Sequence, residues 1–232
     1  MNTRPLALVT GGGSGIGRAT AQALAHAGWH VVINGRRRSA LDETAALIGG
    51  DVDVMQGDLS VAGTAAGLVA SIEQTHGRLD AFIHCAGHAF LTPLADADVT
   101  LLRQYMAVHV EAALECVTGA WHLLRAADPG TVVLMSSMSA HDPFPAVGVY
   151  GMAKAALEAL ARAIAADGGE ALRAFAIAAG CVDTPMLRGL FSEAELQGAD
   201  IQTPEAIAAI VLDMVLGRYS GDSGSTAMPR GI

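Results

Sequence analysis

This chain has few charged residues, few aromatics and almost no cysteine. Cys85, Cys116 and Cys181 are the three cysteines in 232 residues, with neither an even count nor paired metal-ligand spacing. That excludes a disulfide-built fold, and the thiols read as reduced, in a cytoplasmic protein. The eight histidines, His30, His76, His84 and His88 among them, show no cluster with cysteines or carboxylates that reads as a ligand set, so no metal site is expected. Fourteen basic residues stand against 23 acidic ones, and a formal charge of −9 argues against non-specific nucleic-acid binding. No apolar run approaches the roughly 20 residues of a membrane span. No basic amphipathic segment suits a membrane surface, and residues 1–5 lead straight into an apolar run, so no secretory leader is expected.

Apolar residues make up 52% of the chain and charged ones 16%, enough to exclude disorder and to bury surface between subunits as well as within one. The length suits one α/β domain with a continuous core and no linker, residues 1–232. Short β-rich runs at 6–10, 31–34, 52–56, 79–84, 131–136 and 172–178 alternate with alanine-rich helical patterns at 16–27, 39–48, 61–75, 99–126 and 149–166. Such alternation predicts a doubly wound, Rossmann-type parallel sheet with helices on both faces. Gly28 and the pair Gly168-Gly169 are expected left-handed helix terminators. Residues 185–202 are less regular and carry Met186, Leu187, Leu190 and Phe191, which fits a substrate lid or a surface helix packing its apolar side.

The first strand runs into Thr10-Gly11-Gly12-Gly13-Ser14-Gly15-Ile16-Gly17 and then a helix. Glycines there let the backbone turn tightly and approach a pyrophosphate, whose charge meets the helix N-terminus. The second strand ends in Asn34-Gly35-Arg36-Arg37-Arg38, with no carboxylate to bind a ribose 2′-hydroxyl. A guanidinium there suits a 2′-phosphate, so NADP(H) is expected over NAD(H), with Arg36 as the first contact and Arg37 the second. Asp58, followed by Leu59, closes the third strand; it either caps the next helix or bonds near an adenine ring. Ala86-Gly87 ends the fourth strand and Gly180, Val182 and Thr184 follow the sixth, all at strand C-terminal ends, where ligands sit in open α/β sheets.

Tyr150 and Lys154 are four apart in the helical run after the fifth strand and so share one helix face. A phenol titrating near ~10 is a poor acid–base catalyst at neutral pH, and an adjacent ammonium favours its phenolate. Ser137 lies thirteen residues upstream, at the end of the fifth strand.

In their order and spacing, Thr10-Gly11-x-x-x-Gly15-x-Gly17, Asp58, Ala86-Gly87, Ser137, Tyr150-x-x-x-Lys154 and Gly180-x-Val182-x-Thr184 resemble the short-chain dehydrogenases/reductases in their single-domain form, over essentially the whole chain. The resemblance implies that Tyr150 is the general acid in carbonyl reduction and the base in alcohol oxidation. It implies that Lys154 lowers the Tyr150 pKa and holds the nicotinamide ribose, that Ser137 bonds the substrate oxygen, and that Val182 and Thr184 hold the carboxamide. His109 stands where the family usually has an asparagine that supports a water in the proton relay. His84-Cys85 replaces the asparagine before Ala-Gly, Ala179 replaces a proline, Phe175 replaces a strand asparagine, and the tail 225–232 is an unusual last strand.

Met138, His141, Phe144, Met186 and Leu187, with His88, are expected to line the substrate space; most are apolar, and Arg188 alone could meet a carboxylate. A small neutral carbonyl or alcohol is the expected substrate. The family usually pairs through the helices that here carry Val108, Val110, Leu114, Val117, Trp121, Leu157, Leu160 and Ile164, which implies a homotetramer or a homodimer. Two other readings compete: an NADP(H)-sensing regulatory protein with little turnover, and a reductase of activated carbon–carbon double bonds, although the latter usually space Tyr and Lys more widely. From the charge argument, Arg36→Ala is expected to weaken NADPH binding much more than NADH binding in a fluorescence titration; equal losses would remove Arg36 from the phosphate.

Overall fold

The computed structural model describes residues 4–50 and 52–229; of the expected features, residues 1–3 and the tail positions Arg230, Gly231 and Ile232 lie outside that range. Continuous apolar runs make the strands, as a sheet covered on both faces requires. β1 (Leu6–Thr10) is buried at all five positions, and β2 (His30–Gly35), β3 (Val52–Gln56), β4 (Ala81–His84), β5 (Gly130–Ser137) and β6 (Leu172–Ala179) follow in chain order. The helices are α1 (Gly15–His26), α2 (Arg38–Ile48), α3 (Thr64–His76), α4 (Val99–Tyr105), α5 (Ala112–Gly119), α6 (Trp121–Ala126), α7 (Gly148–Gly168), α8 (Pro185–Leu190) and α9 (Pro204–Val215). With β9 (Thr226–Ala227) the seven strands lie parallel in the order β3-β2-β1-β4-β5-β6-β9. The chain winds outward from β1 to β3, returns to β4 beside β1, and winds the other way. The switch point between β1 and β4 opens a crevice at the strand C-terminal ends. One core layer packs Leu68, Ile72, Val117 and Leu157 on one face; another packs Ala21, Leu24, Ile207 and Val211 on the other.

The expected doubly wound sheet is the fold, with local corrections. The helix expected from 61 starts at Thr64, after Gly63 at φ 80°. The single helix expected over 99–126 is three: a π-helical turn, Met106–Glu111, follows α4, and the chain breaks again at Ala120. Gly28 is left-handed as expected (φ 89°), but Gly168 stays helical and Gly169 makes the turn at φ 58°. The irregular stretch forms α8, a run of turns, and β8 (Ile201–Gln202), which pairs with β7 (Cys181–Val182). Thr184 and Thr203 cap α8 and α9 by accepting from the Leu187 and Ala206 amides, each followed by proline in the first turn. Of the tail, Thr226 and Ala227 pair with Ala176 and Ile177 at the sheet edge. The expected absence of a histidine cluster is also corrected: β2, β3 and α3 bring His30, Asp53 and His76 together.

His84 ties the end of β4 to the π turn. The Ala86 amide donates to Thr10 Oγ1 (3.2 Å), Thr10 Oγ1 lies 2.9 Å from His84 Nδ1, and His84 Nε2 lies 3.1 Å from the Val108 carbonyl. One assignment satisfies all three: Thr10 donates to Nδ1 and Nε2–H donates to Val108. Burial, with the Lys154 charge second, holds the imidazole down to about 3. An unfolded histidine titrates near ~6.5, so in acid the unfolded chain takes a proton that the folded chain refuses, and stability falls with pH from ~6.5 towards the folded value. His84→Asn is therefore expected to show a shallower fall of Tm than the wild type between about pH 6.5 and about pH 4, measured by calorimetry; parallel slopes would remove His84 as a source of acid sensitivity.

Candidate active site

Close backbone packing builds the cleft at the switch point. A Cβ on Gly11 (φ 69°) would lie 2.8 Å from the Cys85 carbonyl carbon and 2.9 Å from the Ala86 nitrogen, and one on Gly17 would strike the Gly11 carbonyl. Gly15 (φ 52°) stands against the Thr184 methyl, 2.9 Å from where its own Cβ would sit. Glycine at these positions keeps a smooth cradle under the α1 N-terminus. A cavity of about 360 Å³ opens there, and Gly11, Ser14, Gly15, Ile16, Gly17, Gly87, Gly180, Val182 and Thr184 all line it. Beside it a recess of about 170 Å³ is lined by Arg36, Arg37, Asp58, Leu59 and Ala86. Arg38 is outside this recess and pairs with Asp42 at 2.8 Å. Asp58 caps neither α3 nor any other helix: its Oδ1 accepts from the Ser60 amide and hydroxyl at 3.0 and 2.7 Å. Burial pushes that carboxyl up, but the Ser60 bonds and the Arg36 charge outweigh it, and the pKa is lowered. Gly15 and Thr184 meet across the cavity floor, and the Thr184 hydroxyl, which accepts from Leu187, keeps its own proton free to donate.

On the other side of the cleft, α7 places Tyr150 and Lys154 against the end of β5. The Tyr150 phenol stands on the same cleft wall as Ser137, and burial pushes it above its usual range although Ser137 acts to lower it. Ser137 Oγ also accepts from the Ser139 amide at 3.2 Å. Lys154 donates to the Met135 carbonyl at 2.7 Å, and its Nζ lies 5.3 Å from the Tyr150 ring centroid. Burial brings the Lys154 ammonium down to about 8. Met138, Phe144, Met186 and Leu187 line the remaining wall, together with Phe191, whose ring centroid is 5.6 Å from that of Phe144. His141 does not line the cleft, a correction with a clear cause: its Nε2 is 2.9 Å from Oε1 of buried Glu158. His88 faces the smaller recess instead and stacks on Tyr105 at 5.2 Å.

The short chain dehydrogenase family model matches residues 5–195. The chain belongs to the short-chain dehydrogenase/reductase family. Glycine betaine reductase ATRR of Emericella nidulans is 31% identical over 89% of this chain, which spans 17% of that protein's length. Dehydrogenase/reductase SDR family member 4 of Bos taurus is 29% identical over 97% of this chain and 86% of its own. Among solved structures, a 3-oxoacyl (acyl-carrier-protein) reductase from Agrobacterium tumefaciens C58 with NADP bound is 26% identical, with a TM-score of 0.87 and coverage of 97% and 92%. This short-chain dehydrogenase is thus an oxidoreductase of a family whose solved members include NADP-bound ones.

His109 of this dehydrogenase lies in the π turn, fully buried, its ring edge-on to Tyr150 with centroids 5.6 Å apart. Burial, with the Lys154 charge second, lowers its pKa well below the ordinary imidazole value, so the ring is neutral. Nε2 lies 3.0 Å from the His88 carbonyl, closer than the 3.4 Å to the His88 amide nitrogen, and Nδ1 is buried without a partner. With Nε2–H donating, Nδ1 is a bare acceptor. The ring fills the space beside Gly87, where any Cβ would strike it.

Three supporting residues escape a reading by motif. Glu158 Oε1 accepts from Ser136 Oγ at 2.6 Å as well as from His141, and fastens α7 to β5. Tyr105 packs edge-on to Tyr150 at 5.8 Å, and its hydroxyl accepts from the Phe90 amide at 2.9 Å. Gly151, between Tyr150 and Lys154, lets α7 touch the Ser139 carbonyl, which a Cβ would hit. Gly151 and Glu158 had a signal in their spacing from Tyr150, but only a packed neighbour explains it. Gly151→Ala is expected to cost about 1–3 kcal/mol, a Tm loss of roughly 2–12 °C, and to lower turnover by displacing Tyr150 from Ser137. Calorimetry with single-turnover assays checks both; an unchanged Tm would show that the backbone moves freely there.

Proposed function

We propose that this short-chain dehydrogenase interconverts a carbonyl and a secondary alcohol with NADP(H), Tyr150 moving the proton. The observation that carries this reading is the convergence of Ser137, Tyr150 and Lys154 on the wall of one apolar cleft, with Lys154 Nζ 5.3 Å from the Tyr150 ring centroid. The glycine cradle suits a dinucleotide: Gly11, Ser14, Gly15, Ile16 and Gly17 would hold the pyrophosphate, Asp58, Leu59, Ala86 and Gly87 would border the adenosine, and Gly180, Val182 and Thr184 would face the carboxamide. Arg36 and Arg37 line the recess where a 2′-phosphate would lie, which supports NADP(H) over NAD(H). When bound, the nicotinamide supplies or accepts the hydride.

The protein's own groups handle the proton. Ser137 takes the Ser139 amide as donor, so its hydroxyl proton is free to meet the substrate oxygen. Burial keeps Tyr150 protonated, the state needed by the acid in reduction. Lys154, cationic below about 8, favours the phenolate once that proton has left. His109 offers its unpartnered Nδ1 beside cleft-lining Gly87, which supports its service in place of the family's asparagine as an acceptor in the relay. Arg188 is held by Asp183 at 2.8 and 3.2 Å, and the wall is Met138, Phe144, Met186 and Leu187, which supports a neutral substrate under a lid at residues 185–202. Turnover is favoured over NADP(H) sensing because Ser137, Tyr150 and Lys154 stand together.

A homo-oligomer fits the exposed apolar side chains of Leu114 on α5 and Met152 on α7. Val108, Val117, Leu157 and Ile164 are not available for pairing, because they are buried in this chain's own core. In an NADPH-oxidation assay over aldehydes, ketones and diketones, Tyr150→Phe is expected to lose turnover by about 10²–10⁴-fold with NADPH affinity kept. Wild-type turnover in the variant would remove Tyr150 from its role.

A further inference from the structure

At the end of the sheet away from the cleft, three side chains from three elements converge. His30 opens β2, Asp53 is the second residue of β3, and His76 closes α3. Register brings them together. Side chains two apart on a strand share a face, so His30 lies on the side of Val32. Val32 pairs with Asp53, which puts the carboxylate on that same face, and Val32 belongs to the core layer under α3. α3 runs back against the strands and delivers His76 to their N-terminal ends. His30 and the cofactor-side end of β2 at Gly35 are five residues apart, about 16 Å at roughly 3.3 Å per residue.

Both imidazoles address one carboxylate oxygen. His30 Nε2 is 2.9 Å and His76 Nε2 3.0 Å from Asp53 Oδ2, and the two ring centroids are 5.2 Å apart. His30 closes a hydrogen bond there, whereas His76 Nε2 is buried without a hydrogen-bond partner. A buried, unpartnered nitrogen is costly, and His76 Nε2, though 3.0 Å from Asp53 Oδ2, makes no hydrogen bond with it. The three potential ligand atoms lie within 4.8 Å of one another. A tetrahedral ion with bonds of about 2.0–2.1 Å needs ligand–ligand edges of about 3.3 Å, so the two histidine–aspartate edges, 2.9 and 3.0 Å, need open by only a few tenths of an ångström to seat one.

We propose that His30, Asp53 and His76 form a binding site for a divalent transition-metal ion of the zinc class, separate from the dehydrogenase cleft. Two imidazoles and one carboxylate are the donors that zinc takes, and they leave at least one position open to water. The ion joins the outer strand pair β2–β3 to the end of α3. His30 Nδ1 lacks the outer partner that ligating histidines usually have, which sets the affinity in the micromolar range rather than tighter.

The test uses the full chain after chelator treatment and dialysis, titrated with Zn²⁺ by calorimetry and with Co²⁺ by visible absorption. The expected result is one saturating equivalent at micromolar concentration, d–d absorption with Co²⁺, and a Tm rise of about 5–10 °C at hundredfold excess over Kd. His76→Gln and Asp53→Asn, made separately, are each expected to weaken binding more than about tenfold, while His122→Gln leaves it unchanged. No saturable binding up to about 1 mM Zn²⁺ overturns the proposal and leaves a histidine–carboxylate clasp. Binding that persists in both ligand variants overturns it too, by locating the ion elsewhere. Folding of each variant is followed by circular dichroism, and either variant alone decides the question.

Discussion

The seam between β5 and α7 is the constraint on which the catalytic end of this dehydrogenase depends. A polar seam in a dry core is costly unless every group is paired. Here Ser136 and His141 both reach the Glu158 carboxylate, and Lys154 reaches the Met135 carbonyl. The helix is thereby fixed in rotation and in height against the strand. Gly151 removes the last obstacle to close approach. Ser137 and Tyr150 lie on different elements, yet they meet because this seam leaves α7 no freedom to slide.

The second organising feature is the junction of β4 with the π turn, through Thr10, His84 and Val108. A neutral, doubly bonded imidazole can link a hydroxyl to a carbonyl in one rigid step, where an amide would need a different reach. The extra residue of the π turn sets His109 towards Tyr150 rather than into the helix interface. The rings of Tyr105 and His109 then pack edge-on against the phenol, and His88 packs against both of them.

Much of this was legible in the residues alone, for identifiable reasons. Buried parallel strands have no polar alternation to obscure them, so Leu6–Thr10, buried throughout, stands out at its true limits. The glycine turn and the Tyr150–Lys154 pair depend on local spacing, which a sequence displays directly. Local pattern could not show that Val99 begins three helical pieces, because the π turn is imposed by the tertiary packing of Val108 and His109. His141 sits in the right stretch of chain for the pocket, yet a buried carboxylate seventeen residues later captures it. His30, Asp53 and His76 become neighbours only once strand order and register are known. Spacing along the chain holds no trace of that meeting.

The fit between Gly87 and the His109 ring links two positions that are far apart in the chain. While the imidazole is present, position 87 tolerates no side chain at all; with a smaller residue at 109 that restriction lifts. The order of change in descent is therefore directional: a histidine at 109 can be acquired only on a background that already has glycine at 87. Once acquired, it closes position 87 to further drift, so the pair works as a ratchet on the routes by which this active site can diverge.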